Sequence, residues 1–426
     1  MGIALFLGFF ALLLLGVPIA IAIAVPTFLV IFFADLGISV ISPNFFSGIA
    51  KFPLLAIPLF VLAGFILERC GISERIIRFA NILVGRRRGG LAIVTIGVCV
   101  FFGGVSGSGP ADSAAIGAIL IPAMFSQGYS RGYSAALVAA AGSTAIIVPP
   151  SIALIIYGAI SNTSVPALFA AGAVPGLLAG LSLLFPAVWI ARKNGFGGDT
   201  EGEQEMGFWQ SFKESFWGLL APVIILGGLY GGIFTPTEAA VVAVFYSLLL
   251  GFVVYRTLNT RILYQILSDA SEASAIVLLI VAFAGLFSWA GSTVGILDSA
   301  ACLVMNISDN PWMVLLVINA LIFFGGMLID AISIFYIFLP IFMPIMERYG
   351  WDPVWFGVMM TFNLAIGQFT PPVAVNLYVT AQLAQIRLEQ TFRFVWPMVL
   401  AMLGALLLVV LFPQISLFIP RIFGLM

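Results

Sequence analysis

Phe101 to Ser113 reads FFGGVSGSGPADS and interrupts one of the most apolar stretches of the chain. Five of its thirteen residues are Gly or Pro, and Asp112 is an acid with no basic neighbour in the stretch. In hydrocarbon an unpaired backbone N–H or C=O costs several kcal/mol, because no water replaces the lost partner. Irregular backbone at membrane depth is therefore tolerated only where protein buries it or a wet cavity meets it. The stretch thus predicts a built site inside the membrane and excludes a plain lipid-facing helix.

The rest of the chain supplies that membrane setting. Its 426 residues are 62% hydrophobic and only 8% charged, against about 25% charged in soluble domains. A spanning helix takes about 20 residues, so the chain has room for roughly ten to twelve passes and predicts an all-α polytopic membrane protein. Histidine is absent, which removes imidazole acid/base chemistry, proton relays and metal sites. Cys70, Cys99 and Cys302 are scattered without a CxxC and read as small apolar residues. The first residues lack a basic region, so a retained membrane segment is expected in place of a cleaved signal.

Landmarks recur at a fixed offset. FFGG stands at 101–104 and again at 323–326, Pro122 matches Pro344, and Pro149-Pro150 matches Pro371-Pro372, each 222 residues apart. Repeats whose hydrophobic segments are broken by Gly or Pro at corresponding positions mark the binding sites of secondary transporters. The predicted organisation is repeat 1 over 1–193, a polar cytoplasmic linker over 194–216, and repeat 2 over 217–426. Each repeat holds a hairpin (about 91–125 and 313–346) and a Pro-Pro-broken helix (about 133–160 and 354–382). The N-terminal 3–33 reads as one kinked helix or two short ones, Ser42-Pro43-Asn44 as a turn, and 396–419 as the last span. If both hairpins are re-entrant, every Lys and Arg except Lys51, Arg348 and Arg421 falls on one side of the membrane. The positive-inside rule makes that side cytoplasmic. The hairpins then open to opposite sides, so the repeats are inverted.

Two ion sites follow from this plan. The first gathers Ser106, Gly107, Ser108 and Asp112 with Ser143, Thr144 and the Val148 carbonyl. Pro149 and Pro150 lack N–H groups, so carbonyls before them lose their helical partners. The second gathers Gly325, Gly326, Asp330, Asn363, Gly367 and Thr370. Hydroxyls, free carbonyls and a carboxylate suit Na⁺, a hard cation; no organic cofactor is expected. A helix cap is the competing reading of Asp112 and Asp330, and close helix packing that of the glycines. No Lys or Arg lies near either tip. An anion would rest on backbone N–H groups, half-helix N-termini, hydroxyls and amides, at Ser108, Gly109, Thr144, Pro149, Pro150, Pro371 and Asn376.

These stretches resemble a known family. PLFVLAGFILERCGIS (58–73), FFGGVSGSGPADSAAIGAILIPAM (101–124), VPPSIALIIYG (148–158), GGIFTPTEAA (231–240) and FTPPVAVNLYV (369–379) are similar to the large membrane subunit of tripartite ATP-independent periplasmic (TRAP) transporters. The resemblance covers essentially the whole chain. It implies Na⁺-driven uptake of a carboxylate solute, of the sialic acid or C4-dicarboxylate class, across the bacterial inner membrane by an elevator motion. It also implies two partners, a small four-helix membrane subunit and a periplasmic substrate-binding protein, besides the lipid bilayer and the small organic anion; no nucleic acid is expected. The alternative is a stand-alone divalent anion/Na⁺ symporter-type carrier that needs no binding protein. An intramembrane enzyme lacks a nucleophile–base pair, and no enzymatic activity is expected. The topology has a direct check: a cysteine replacing Ser130, between hairpin and broken helix, is expected to label from the cytoplasmic side. Labelling from the periplasmic side would overturn re-entry.

Overall fold

Why helices start where they do is visible at their N-termini. The computed structural model describes residues 1–84, 87–198 and 207–426; Arg86 and the linker's central residues 199–206 lie outside them. Twenty α-helices run in order: α1 Gly2–Leu14, α2 Ile19–Phe33, α3 Ile41–Ile49, α4 Ala56–Arg69, α5 Ile72–Val84, α6 Gly90–Ser106, α7 Gly109–Ser126, α8 Arg131–Ser143, α9 Ile152–Ser161 and α10 Val165–Lys193, then α11 Phe208–Tyr230, α12 Pro236–Leu249, α13 Thr260–Thr293, α14 Ile296–Met305, α15 Pro311–Gly326, α16 Ala331–Tyr349, α17 Pro353–Gly367, α18 Val375–Leu383, α19 Phe392–Leu411 and α20 Gln414–Ile422. No strand occurs among the described residues. Eight of the helical segments are long and apolar enough to cross a membrane. Asn310 and Asp352 cap α15 and α17 with side-chain oxygens, each followed by a proline whose missing N–H costs nothing in a first turn. Thr235 and Glu238 form a full capping box on α12.

Three local expectations are corrected or sharpened. Pro18 separates α1 from α2, while Pro26 is carried inside α2. Ser42-Pro43-Asn44 is not a turn but the first turn of α3, where a proline still fits. The last span is not continuous: Pro413 stands between α19 and α20.

The helix boundaries repeat the 222-residue offset. Hairpin α6–α7 and broken helix α8–α9 correspond to α15–α16 and α17–α18, with starts and ends falling within two residues of the shifted positions. Packing is reciprocal: α9 lies against α16 and α17, and α18 against α7 and α8. The first halves of the broken helices are enclosed on every side. All residues of α8 from Gly132 to Ser143 are buried, as are all of α17 from Val354 to Gly367. Alanine and glycine dominate α8, letting neighbouring backbones approach where burying apolar surface brings no gain over lipid. Around this centre, α13 packs on α2, α3 and α4, and α4 on α12; α13 meets α16 and α4 meets α6. Outward residues such as Leu181, Phe185, Phe245 and Leu400 are exposed apolar groups suited to lipid. Replacing Thr235 by Ala removes one side of the α12 box and should cost about 1 kcal/mol, read as a lower thermal midpoint of the purified protein.

Candidate functional site

Each hairpin tip docks on the break of the neighbouring helix pair, and glycine makes that possible. A Cβ on Gly103 would lie 2.7 Å from the Ala145 Cα, and one on Gly104 3.3 Å from the Pro149 carbonyl oxygen. Gly107, at φ +62°, ends α6 in the left-handed region, and a Cβ there would stand 2.6 Å from the Pro150 oxygen. Between α15 and α17, Gly367 presses on the Gly326 backbone, where a Cβ would come 2.7 Å from the Gly326 Cα, and the Ala374 N–H donates to the Met327 carbonyl at 3.2 Å. The irregular segments thus cover one another, as hydrocarbon surroundings require.

Within the first group, the Ser106 hydroxyl donates to Asp112 Oδ1, and the Ser108 N–H donates to Ser106 Oγ at 3.3 Å. Asp112 is buried, and its second oxygen, Oδ2, has no protein partner. Ser143 and Thr144 are fully buried, and their hydroxyls donate to the Ala140 and Ala141 carbonyls at 2.8 and 2.7 Å. Their oxygen lone pairs remain able to accept or coordinate. Val148 is half-buried at the break, and Pro149 and Pro150 are buried.

The second group differs in the state of its acid. Asp330 is the N-cap of α16: Oδ2 accepts from the Ile332 and Ser333 N–H groups at 3.0 and 3.3 Å, and Oδ1 from the Ser333 hydroxyl at 2.6 Å. Both oxygens are engaged by its own helix. Asn363 donates to the backbone and side-chain oxygens of Asn319, each at 2.9 Å, while its own Oδ1 is buried without a partner. Thr370 donates to the Ile366 carbonyl at 2.6 Å. Gly325 packs on Ile334, turned toward α16. Pro371 is half-buried and Pro372 exposed, so the second break is open where the first is closed.

Asn376 lies against the first hairpin. Its Nδ2 donates to the Ala139 carbonyl of α8 at 3.4 Å, and it faces Gly109 at the start of α7. Three polar residues at these junctions carried no sequence expectation: Gln368, Ser113 and Asn319. Gln368 and Ser113 each carry a buried side-chain oxygen without a partner. Gln368 stands one residue before the quoted FTPPVAVNLYV stretch and directly beside the break, but its burial against the start of α7 is set by the fold and carries no sequence signal.

The sequence profile of the tripartite ATP-independent periplasmic transporter, DctM component, matches residues 6–415. The chain belongs to the TRAP transporter family, as its large permease. The large sialic acid TRAP permease SiaM of Vibrio cholerae is 39% identical over 417 residues, covering 98% of this chain and 97% of that one. The isethionate TRAP permease DctMQ of Oleidesulfovibrio alaskensis is 40% identical over 413 residues, 96% of this chain. The match spans 65% of that relative's length. The 2,3-diketo-L-gulonate TRAP permease YiaN of Escherichia coli is 34% identical over 97% of this chain and 98% of its own. The YdaH transporter of Alcanivorax borkumensis, whose crystal structure has an unusual topology, shares the fold: TM-score 0.64 at 14% identity, covering 88% of this chain and 87% of that one.

In this TRAP permease the tip contacts can be tested against a glycine that touches nothing. Gly367→Ala should lower the thermal midpoint and the yield of folded protein, because its methyl meets backbone that cannot rotate away. Gly97→Ala, with no atom within 4 Å of the added carbon, should be neutral or slightly stabilising. Equal behaviour of the two variants would mean that the Gly326–Gly367 approach is not made.

Proposed function

We propose that this large permease takes up an organic acid anion across the bacterial inner membrane, driven by co-transported Na⁺. The observation that carries the reading is the buried carboxylate of Asp112, with one oxygen held by Ser106 and the other without a partner. An ionised carboxylate without a counter-charge is costly in low dielectric, and among the described residues no Lys or Arg side chain is paired with it. A bound Na⁺ would supply the missing charge. Asp112 would be its anionic ligand, with Ser106, Ser108, Ser143, Thr144 and the Val148 carbonyl nearby. A second Na⁺ would draw its ligands from Gly325, Gly326, Asn363, Gly367 and Thr370, with Asp330 holding the shape of the tip.

The anion would lie between the two breaks, against Ser108, Gly109, Thr144, Pro149, Pro150, Pro371 and Asn376. The N-terminus of α7 lies against Gln368 and Asn376 at Gly109, and a helix N-terminus favours negative charge. The hairpins and broken helices would move together as an elevator against the helices around α13, exposing the site to one side at a time as oppositely oriented repeats allow. A periplasmic binding protein would deliver the solute, and a small four-helix membrane subunit would complete the permease. The relatives' names place sialic acid, isethionate and 2,3-diketo-L-gulonate among the solutes to try.

The test is uptake into proteoliposomes that hold the permease with its small subunit and binding protein. Asp112→Asn should raise the half-saturating Na⁺ concentration at least tenfold while the folded yield is kept, and Ser106→Ala should raise it less. Unchanged Na⁺ dependence in both variants would remove the first ion site. Uptake that is undiminished without the binding protein would favour the stand-alone carrier.

A further inference from the structure

Gln368 and Asn376 form an amide pair over the start of α7, and nothing in the protein accounts for it. Gln368 is 5% exposed and Asn376 0%. Both approach Gly109: a methyl built there would collide with Gln368 Oε1 and lie 3.0 Å from Asn376 Nδ2. The two residues are tied together by the Asn376 N–H, which donates to the Gln368 carbonyl at 3.0 Å. Gln368 Oε1 and Asn376 Oδ1 are nonetheless both buried without a hydrogen-bond partner. A buried acceptor left unpaired is costly, so two side by side mark a place built to be completed by something else.

The orientation of the pair says what completes it. Asn376 Nδ2 is engaged by the Ala139 carbonyl, so the free end of that amide is an acceptor. Gln368 makes no side-chain hydrogen bond that would fix it, and in this structure it too presents its oxygen. Cations could satisfy two neutral oxygens, but Asp112, in the same first turn of α7, already has a free carboxylate oxygen that would hold one. Asn376 Oδ1 needs a donor, and the Gln368 amide, which no hydrogen bond anchors, can present its oxygen beside it to the same donor-bearing group. Below the pair, the first turn of α7 offers N–H groups, with Ser108 at the N-cap and an 18-residue helix behind it.

We infer that Gln368 is a specificity-determining contact of the cargo, and that with Asn376 it reads a hydroxyl or amide N–H carried next to the anionic group. The cargo class is then a carboxylate with a neighbouring hydrogen-bond donor, set apart from an unsubstituted dicarboxylate. The inference rests on the transport reading above. An acceptor pair rejects a cargo lacking the donor because its oxygens stay unpaired, the asymmetry by which polar sites discriminate most strongly.

The experiment compares sialic acid, a hydroxylated and N-acylated carboxylate, with succinate, which carries no donor at neutral pH. Na⁺-driven uptake of each is measured in the complete transporter, for the wild type and for Gln368→Leu and Gln368→Glu. The wild type should favour the donor-bearing anion. Gln368→Leu should raise KM for that anion at least tenfold, leave KM for succinate within twofold, and keep the half-saturating Na⁺ concentration. Gln368→Glu keeps an acceptor, so it should retain more of the preference than Leu while lowering uptake of both anions by charge repulsion. Equal effects of Gln368→Leu on the two anions, or none on either, overturn the inference. A wild type with no Na⁺-driven uptake of sialic acid, succinate, isethionate or 2,3-diketo-L-gulonate overturns the transport reading and this inference together. Na⁺-dependent thermal stabilisation of each purified variant, equal to the wild type's, shows that a lost preference is not a lost fold.

Discussion

Everything at the centre of this permease depends on one constraint: backbone that leaves the helix inside a membrane must find partners in protein. The chain breaks its helices four times in this region, at two hairpin tips and two Pro-Pro pairs. It meets the constraint by pressing tip on break. Gly103 and Gly104 run against Ala145 and Pro149, Gly107 against Pro150, and Gly326 against Gly367. Any side chain larger than hydrogen at these points would hold the two irregular segments apart and leave carbonyls facing nothing. The glycines are therefore the condition on which polar groups can exist at this depth at all.

That constraint also explains which parts of the architecture were legible in the sequence. Gly-rich tips and Pro-Pro pairs are covalent facts, and their 222-residue recurrence anticipated helix boundaries that repeat within two residues. The capping turn at Thr235–Glu238 was equally readable, since the side chains that satisfy it lie within four residues. What could not be read is what depends on three-dimensional crossing. Asn376 reaches α8 across 237 residues, and Gln368 gains its significance only because α18 lies against α7. Asn319 has no motif; it matters because α15 and α17 pack side by side and bring it to Asn363. The turn expected at Pro43 failed for a simpler reason: proline is as much at home in a helix's first turn as in a loop.

The two acids show how a shared plan permits different chemistry. Ser106 and Asp112 straddle the first tip, so the serine takes one carboxylate oxygen and leaves the other open. Asp330 sits at the N-cap of the helix that follows its tip, and the first turn of that helix takes both of its oxygens. The 222-residue offset carries Asp112 onto Ile334, so the two acids do not occupy corresponding positions. One keeps a carboxylate oxygen without a protein partner, and the other caps the start of a helix.

On the proposed reading this difference sets the logic of coupling. Asp112 lies in the first turn of α7, the same helix end that would face the anionic cargo. An unneutralised carboxylate there would oppose the favourable field of the N-terminus and repel the cargo. A Na⁺ on its free oxygen would remove that repulsion and leave the N–H groups of the turn to act. Ion and anion would then share one helix end, and the ion would raise the affinity for the anion because the two charges compensate across a few bonds. Linkage makes the effect mutual, so bound anion must hold the ion by the same factor. Obligatory co-transport needs such a coupling, and on this reading a single turn of helix would supply it, with no Lys or Arg paired to Asp112 among the described residues.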